Sequence, residues 1–208
     1  MATGPRYKVP FRRRRENRTD YYIRKKLLTS GEMRAVVRRS SKNITIQFAK
    51  FGMDGDSIAV SATSKELKAL GWEHACSNIP AAYLTGYLAG KKAKDAGIEY
   101  AVLDIGMQTP SKGAVLFAAV AGMVAAGLDV PHGEGVLPTD DRLNGSHMSE
   151  KVLDNVNKVL GALGGKKRAA AEKKEKPKKA EPKADAKKAD AKKADAKPKA
   201  VKKKKEAE

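Results

Sequence analysis

Hydrophobic and polar positions change period several times along the chain, and each change marks an element. Ile44, Ile46 and Phe48 alternate with Thr45, Gln47 and Ala49, which predicts a strand over Asn43–Phe51. Ser57–Ala62 alternates again, with Ile58 and Val60 on one face, and the stretch Met53-Asp54-Gly55-Asp56 between them reads as a hairpin turn. Arg34–Arg39 has an Ala-Val-Val centre between basic flanks and predicts a strand before these two. The three together suggest an antiparallel meander.

A helical period follows. Thr63 and Glu66 are spaced for a capping box that opens a short helix through Leu70, with Gly71 as its stop. Asn78 and Pro80 mark the start of a longer helix from Ile79 to Ala96, closed by Gly97. Ala82, Gly86 and Gly90 form a narrow line on it. Glycine weakens a helix, so the repeat predicts close approach of the backbone to a sheet. Tyr100–Ile105 is apolar on both faces and reads as a central, covered strand. Gly113–Ala126 predicts a buried helix. Residues 129–147 are turn-rich, and Met148–Leu160 predicts a final helix with Val152, Val156, Val159 and Leu163 on one stripe. The fold class is α/β, an α+β mixed sheet. Its core is three strands, a helix, a strand and a helix, with helices packed on the sheet and basic extensions at both ends.

Upstream of the core, Gly4, Pro5 and Pro10 predict an extended arm over residues 1–16, and Glu16–Thr29 predicts an amphipathic helix ended by Gly31. Downstream, residues 166–208 lack any aromatic residue and repeat a five-residue Ala-Asp-Ala-Lys-Lys unit that fits neither a helical turn nor a heptad. Transient helices broken at Pro177, Pro182 and Pro198 are expected there. The organisation is therefore a basic arm and helix over 1–30, a mixed-sheet core over 31–128, a turn-rich extension with a helix over 129–165, and a disordered Lys/Ala-rich tail over 166–208.

Charge sharpens this division. The 208 residues carry a formal net charge of +19. Residues 1–42 contribute 14 basic and 3 acidic side chains, residues 43–165 contribute 10 and 13, and residues 166–208 contribute 19 and 8. A nearly neutral body sits between two cationic arms, which implies a large polyanionic partner. The arms differ in kind. The first offers forked arginine donors at Arg6, Arg12, Arg13, Arg14, Arg15, Arg18 and Arg24, with Lys8 and Lys25, interleaved with Tyr7, Phe11, Tyr21 and Tyr22. Guanidinium groups match phosphate oxygens, and aromatic rings stack on exposed bases. The tail is lysine-rich and suits loose electrostatic attraction. Arg38, Arg39, Ser40, Lys42 and Asn43 form a second polar patch at a strand end.

Catalysis and metal binding find little support. Asp104, His132 and His147 have no spacing that fixes a triad, no Gly-x-Ser-x-Gly occurs, and the lone Cys76 with three scattered histidines makes no zinc pattern. The segment Gly106–Gly113 lacks the order of a nucleotide-triphosphate loop, although its backbone suits a single phosphate at a helix start. No cofactor is implied. The absence of an apolar run of 18 residues and of a signal-peptide pattern predicts no membrane partner and a cytoplasmic protein.

Several segments together resemble the archaeal form of the large-subunit ribosomal protein eighteen family, which binds 5S ribosomal RNA. They are Gly4–Phe11 with the arginine run, Thr19-Asp20-Tyr21, Arg24–Leu28, Val37–Ile44, Asn78–Gly86, Ala101–Gly106 and Asn144–His147. The resemblance spans roughly residues 4–160. It implies the same core and a monomer in the central protuberance of the large subunit. The implied partners are 5S rRNA, large-subunit rRNA and neighbouring ribosomal proteins. Carried to this chain, it implies RNA contacts at Arg12–Arg15, Arg18, Tyr21, Arg24, Lys25, Arg38, Arg39 and Lys42–Asn43, with further candidates at Thr109–Lys112 and from Arg142 to His147. The lysine-alanine tail departs from the family. Two readings from other classes compete: a chromatin-like architectural protein that binds duplex DNA through the tail, and an enzyme that uses the arms for localisation.

Overall fold

The computed structural model describes residues 4–165, so the expectations for the tail lie outside the described residues. Strands β1 (Arg34–Arg39), β2 (Ile44–Lys50) and β3 (Ser57–Thr63) form the expected antiparallel meander. Strand β4 (Val102–Asp104) joins β1 in parallel, and the sheet order is β3-β2-β1-β4. A bulge leaves Ala59 unpaired, because Phe48 faces Val60 while Ala49 faces Ile58.

The strand expected at the centre is therefore at an edge. It is only three residues long, and its neighbouring residue Tyr100 makes an isolated parallel bridge to Asp129. Val102 and Leu103 are half-buried, and their apolar character reflects cover by helices and loops rather than strands on both sides.

Helices α1 (Arg12–Arg15) and α2 (Tyr21–Thr29) precede the sheet; α3 (Glu66–Ala69) and α4 (Ile79–Asp95) connect β3 to β4. Helices α5 (Val115–Ala125), α6 (Asp140–Asn144) and α7 (Glu150–Ala162) follow. Helix α4 packs on β2 and β3, and α5 packs on β1, so both lie on one face of the sheet. Ala35, Val37, Ile44, Ile46 and Phe48 are fully buried beneath them, each large side chain contributing roughly 1.5–3 kcal/mol. Helices α6 and α7 pack on α4, and the predicted stripe of Val152, Val156, Val159 and Leu163 is buried.

The helix signals explain some ends. The Asn78 side chain accepts from the Ala81 amide, as its N-cap position requires. The capping box expected at Thr63 does not form: Thr63 ends β3, and α3 starts at Glu66 after Lys65 with no side-chain cap. The Thr63 amide and hydroxyl donate instead to Glu66 Oε1, while Lys92 Nζ holds Oε2 at 2.6 Å. Burial pushes the Glu66 carboxyl up, but the hydrogen bonds from Lys92 and Thr63 outweigh it and hold it below its ordinary value.

Three further expectations change. The glycines of α4 approach a helix rather than the sheet: a Cβ on Gly86 would collide with the Ala119 carbonyl, and one on Gly90 would lie 2.7 Å from Ala126 Cβ. Gly122 of α5 returns the contact, since its Cβ would meet the Tyr83 carbonyl. Small residues on both helices let the two backbones touch. The turn-rich stretch 129–147 contains the short helix α6, with Gly145 closing it in the left-handed conformation. At the N-terminus, Arg12–Arg15 forms a helical turn where extended chain was expected, and the next helix begins at Tyr21 rather than Glu16. The Asp20 carboxylate sets that start by accepting from the Tyr22 and Ile23 amides, while Glu16 pairs with Arg12 and Arg18 at 3.4 Å.

Candidate nucleic-acid interface

Neither arm helix buries a residue. Local contacts nevertheless order the arm. Phe11 stacks at a tilt on Tyr21 with ring centroids 5.5 Å apart, Arg14 lies 5.8 Å from the centre of the Tyr22 ring, and Arg13 Nε donates to Thr19 Oγ1 at 2.9 Å. Arg6, Tyr7, Lys8, Arg12, Arg15, Arg18 and Lys25 are exposed. The arginines predicted to meet phosphate are thus at the surface, on a segment whose aromatic groups brace it.

The arm is tied to the sheet by a chain of alternating charges. Arg24 Nη2 donates to Asp56 Oδ2 at 2.9 Å, and Arg34 Nη2 donates to the same oxygen at 2.6 Å. The other end of Arg34 donates through Nη1 to Asp104 Oδ2 at 3.0 Å. Asp104 Oδ1 accepts from Arg38 Nη2 and from the Gly106 amide, both at 2.9 Å. Arg38 Nη1 also donates to the main-chain oxygens of Val37 and Asp104.

Strand geometry explains this chain. Side chains two apart share a face, so Arg34, Val36 and Arg38 point away from α5. The parallel register sets Asp104 against Val36, midway between the two arginines. Gly106 completes the arrangement. Its backbone is left-handed, and any Cβ would lie 2.9 Å from Arg38 Cζ, so no larger residue lets the guanidinium settle there.

Burial separates the members. The Arg34 side chain is 2% exposed and Asp104 9%, whereas Arg38 is 43% exposed. Arg34 Nε finds no partner among the described residues. Burial pushes the Asp56 carboxyl up, but hydrogen bonds from Arg34 and Arg24, with their charges, outweigh it and hold it below its ordinary value. Arg13, Arg18, Arg24 and Arg38 line a cavity of about 110 Å³ above Asp104. Arg24 and Arg38, expected as open phosphate ligands, are therefore partly committed to internal carboxylates. Arg34, Asp56 and Asp104 are the partners that sequence reasoning passed over. The available signals were an arginine pair spaced for one strand face and an aspartate in the apolar run Val102–Ile105.

The second patch divides similarly. Ser40 Oγ donates to the Asn43 carbonyl and accepts from the Asn43 amide, so these two residues build the turn between β1 and β2. Arg39 and Lys42 remain exposed at its tip. Gln108 Nε2 donates to the Arg39 carbonyl at 3.2 Å, which brings the exposed residues Thr109 and Lys112 to the same end of the sheet. Arg142 and His147 are exposed on α6 and just beyond it, with His147 Nδ1 3.3 Å from the Asp141 carbonyl. They belong to the region packed on α4, distinct from the arm. His132 Nδ1 lies 2.8 Å from the Val130 carbonyl, and Asp104 is engaged by arginines. The three candidate triad residues are each engaged in separate local contacts.

Among the described residues, no helix is long and apolar enough to cross a membrane. A family model described as ribosomal large subunit proteins 60S L5 and 50S L18 matches residues 5–97. The large ribosomal subunit protein uL18 of Halobacterium salinarum is 55% identical over 150 residues, covering 72% of this chain and 82% of that protein. Its counterpart in Methanoregula boonei is 50% identical over 169 residues, covering 78% and 97%. That of Methanothermobacter thermautotrophicus is 53% identical over 150 residues, covering 72% and 78%.

Proposed function

We infer how this chain binds RNA from the family to which it belongs, the ribosomal large subunit proteins 60S L5 and 50S L18. It is a structural constituent of the large ribosomal subunit, working in the cytoplasm, and not an enzyme. It holds 5S rRNA and attaches it to large-subunit rRNA in the central protuberance, as a monomer among neighbouring ribosomal proteins.

Within that role, the N-terminal arm grips RNA phosphates through Arg6, Lys8, Arg12–Arg15, Arg18 and Lys25, with Tyr7, Phe11 and Tyr21 against exposed bases or sugars. Arg38, with Arg24, presents its remaining donors beside the arm. Arg39, Ser40, Lys42, Asn43, Thr109 and Lys112 extend the contact around the end of the sheet, and Arg142 and His147 offer a separate, smaller one. The observation that carries this reading is the arm itself, where arginines interleaved with aromatics stay at the surface of two helices without a fully buried residue. The body is close to neutral and keeps these groups in register, so assembly proceeds by phosphate neutralisation and docking of exposed bases.

The test changes Arg12–Arg15 together to Gln, and separately to Lys, and titrates salt against binding to 5S rRNA and to an unrelated structured RNA. The Gln variant is expected to lose preference for 5S rRNA and to lower the log–log salt slope by at most about 3–4. The fall should be smaller to the extent that Arg12 and Arg13 already serve Glu16 and Thr19. The Lys variant keeps charge without the forked donors and should lose part of the preference only. Unchanged affinity, preference and slope in the Gln variant would place the arm away from RNA.

A further inference from the structure

At the carboxyl ends of β1 and β4, the one parallel pair of the described sheet, the chain leaves in two directions. From β1 it turns back into β2; from β4 it runs on through Gly106–Gly113 into α5. Diverging connections beside a parallel pair open a crevice, the usual place for a ligand on an α/β sheet. Here the crevice is a cleft of about 570 Å³, within the range that takes a small organic ligand.

The cleft has a definite chemistry. Its apolar part is supplied by the half-buried Val115, with Ala114 and the buried Leu116 beside it at the start of α5. One wall carries Arg39 and Ser41 and the other Gln108, Thr109 and Ser111, while Met107 stands exposed at the rim. The amide of Gln108 is held in place by the Arg39 carbonyl, so the two walls are joined. Arg39 is the only cation on the lining. A duplex backbone tracks along several cations and keeps its bases stacked away from the protein. Exposed Lys42 and Lys112 flank the cleft but lie outside its lining, which offers one cation and so fits no duplex. A single nucleotide out of its stack does match. Its base has an apolar face for the apolar part and polar edges for the hydroxyls and amide, and its one phosphate meets one guanidinium.

We propose that this cleft receives one unpaired nucleotide of ribosomal RNA, with its base on Val115 and its phosphate on Arg39. The inference rests on the RNA-binding reading above and adds a base-recognition site to a phosphate-gripping arm.

A photoreactive side chain in place of Met107 tests it, in the full-length protein bound to 5S rRNA and in large subunits assembled with it. Crosslinks should converge on one nucleotide that is unpaired in the free RNA and protected in the complex. Ser111→Glu places a carboxylate on the wall facing Arg39, where it competes for the guanidinium and repels the incoming nucleotide, and should weaken binding by about tenfold or more and remove that protection. A carboxylate near a helix start is compatible with the fold, and circular dichroism should be unchanged. Crosslinks spread along a duplex, or directed to protein, would overturn the proposal. So would unchanged binding in Ser111→Glu while the Arg12–Arg15→Gln variant fails to bind, an outcome that leaves the RNA reading standing. Unchanged binding in both variants would remove the RNA reading as well.

Discussion

Asp104→Ala is expected to be among the most damaging single changes that leave the apolar core intact. Its carboxylate accepts from Arg34, Arg38 and the Gly106 amide. The losses are unequal. Arg38 is 43% exposed and keeps two main-chain acceptors, so it rehydrates at a cost of less than about 1 kcal/mol. Arg34 is 2% exposed and cannot reach water. It would retain Asp56 on one nitrogen but lose the partner on another, with Nε already unsatisfied. Breaking a buried pair by removing one partner costs about 3–5 kcal/mol, and the surviving Asp56 contact favours the lower part, about 3–4 kcal/mol in total. For a folded body of this size that is a fall in Tm of roughly 10 °C.

Asp56→Ala supplies the internal comparison. It also takes a partner from Arg34, but Asp56 is 24% exposed, so water can replace the lost carboxylate, and both Asp104 and the half-buried Arg24 stay within reach of partners or solvent; about 1–2 kcal/mol is expected. Urea unfolding followed by circular dichroism measures both, and the m-value should stay constant. Adding Arg34→Met to Asp104→Ala should recover stability, since the uncompensated charge is then gone. A cost below about 1 kcal/mol for Asp104→Ala, or one equal to that of Asp56→Ala, would refute the reasoning. It would mean that Arg34 reaches solvent once its partner is removed.

The same substitution should act with opposite signs at two helical glycines. Gly86→Ala drives a methyl group into the Ala119 carbonyl and should destabilise by at least about 1–3 kcal/mol, whereas Gly161→Ala in α7 meets nothing within 4 Å and should stabilise by about 0.5–1 kcal/mol; thermal unfolding reads both. Asp56 has a folded-state pKa below its ordinary 3.8, so its contribution is full above that value and is lost as pH falls through the folded pKa. The stability of Asp56→Asn should therefore depend less on pH than that of the parent below about pH 4, as acid unfolding curves will report. Deleting residues 166–208, which carry 19 basic and 8 acidic side chains, should lower nonspecific RNA affinity and its salt slope but preserve preference for 5S rRNA; salt titrations with two RNAs measure this, and complete loss of discrimination would contradict it.

Local chemistry made much of this protein legible from the chain alone. The meander follows from the alternation in Asn43–Phe51 and Ser57–Ala62, because a period of two has one solution when one face is buried. The bulge at Ala59 nevertheless sets Ile58 against Ala49, exposed and off the face of Val60 where it was expected. Asn78 and Gly97 set helix ends because caps act within a few residues. The cationic arm was visible for a similar reason: consecutive arginines cannot enter a core, so their place at the surface needs no knowledge of the fold. What distance in sequence hid was decided by tertiary structure. The glycine line of α4 signals a close neighbour without saying which, and only packing identifies it as α5. An apolar run in Tyr100–Ile105 reports cover on both faces, which helices and loops supply as well as strands, so its edge position was not readable. Asp104 lies 70 residues from Arg34, and only the parallel register of β4 on β1 sets it between Arg34 and Arg38. That register turns one expected RNA ligand, Arg38, into a partner of an internal carboxylate, and it brings Arg39 and Thr109 to one cleft. Charge and periodicity are properties of neighbouring residues, whereas the pairing of a charge depends on which strands meet.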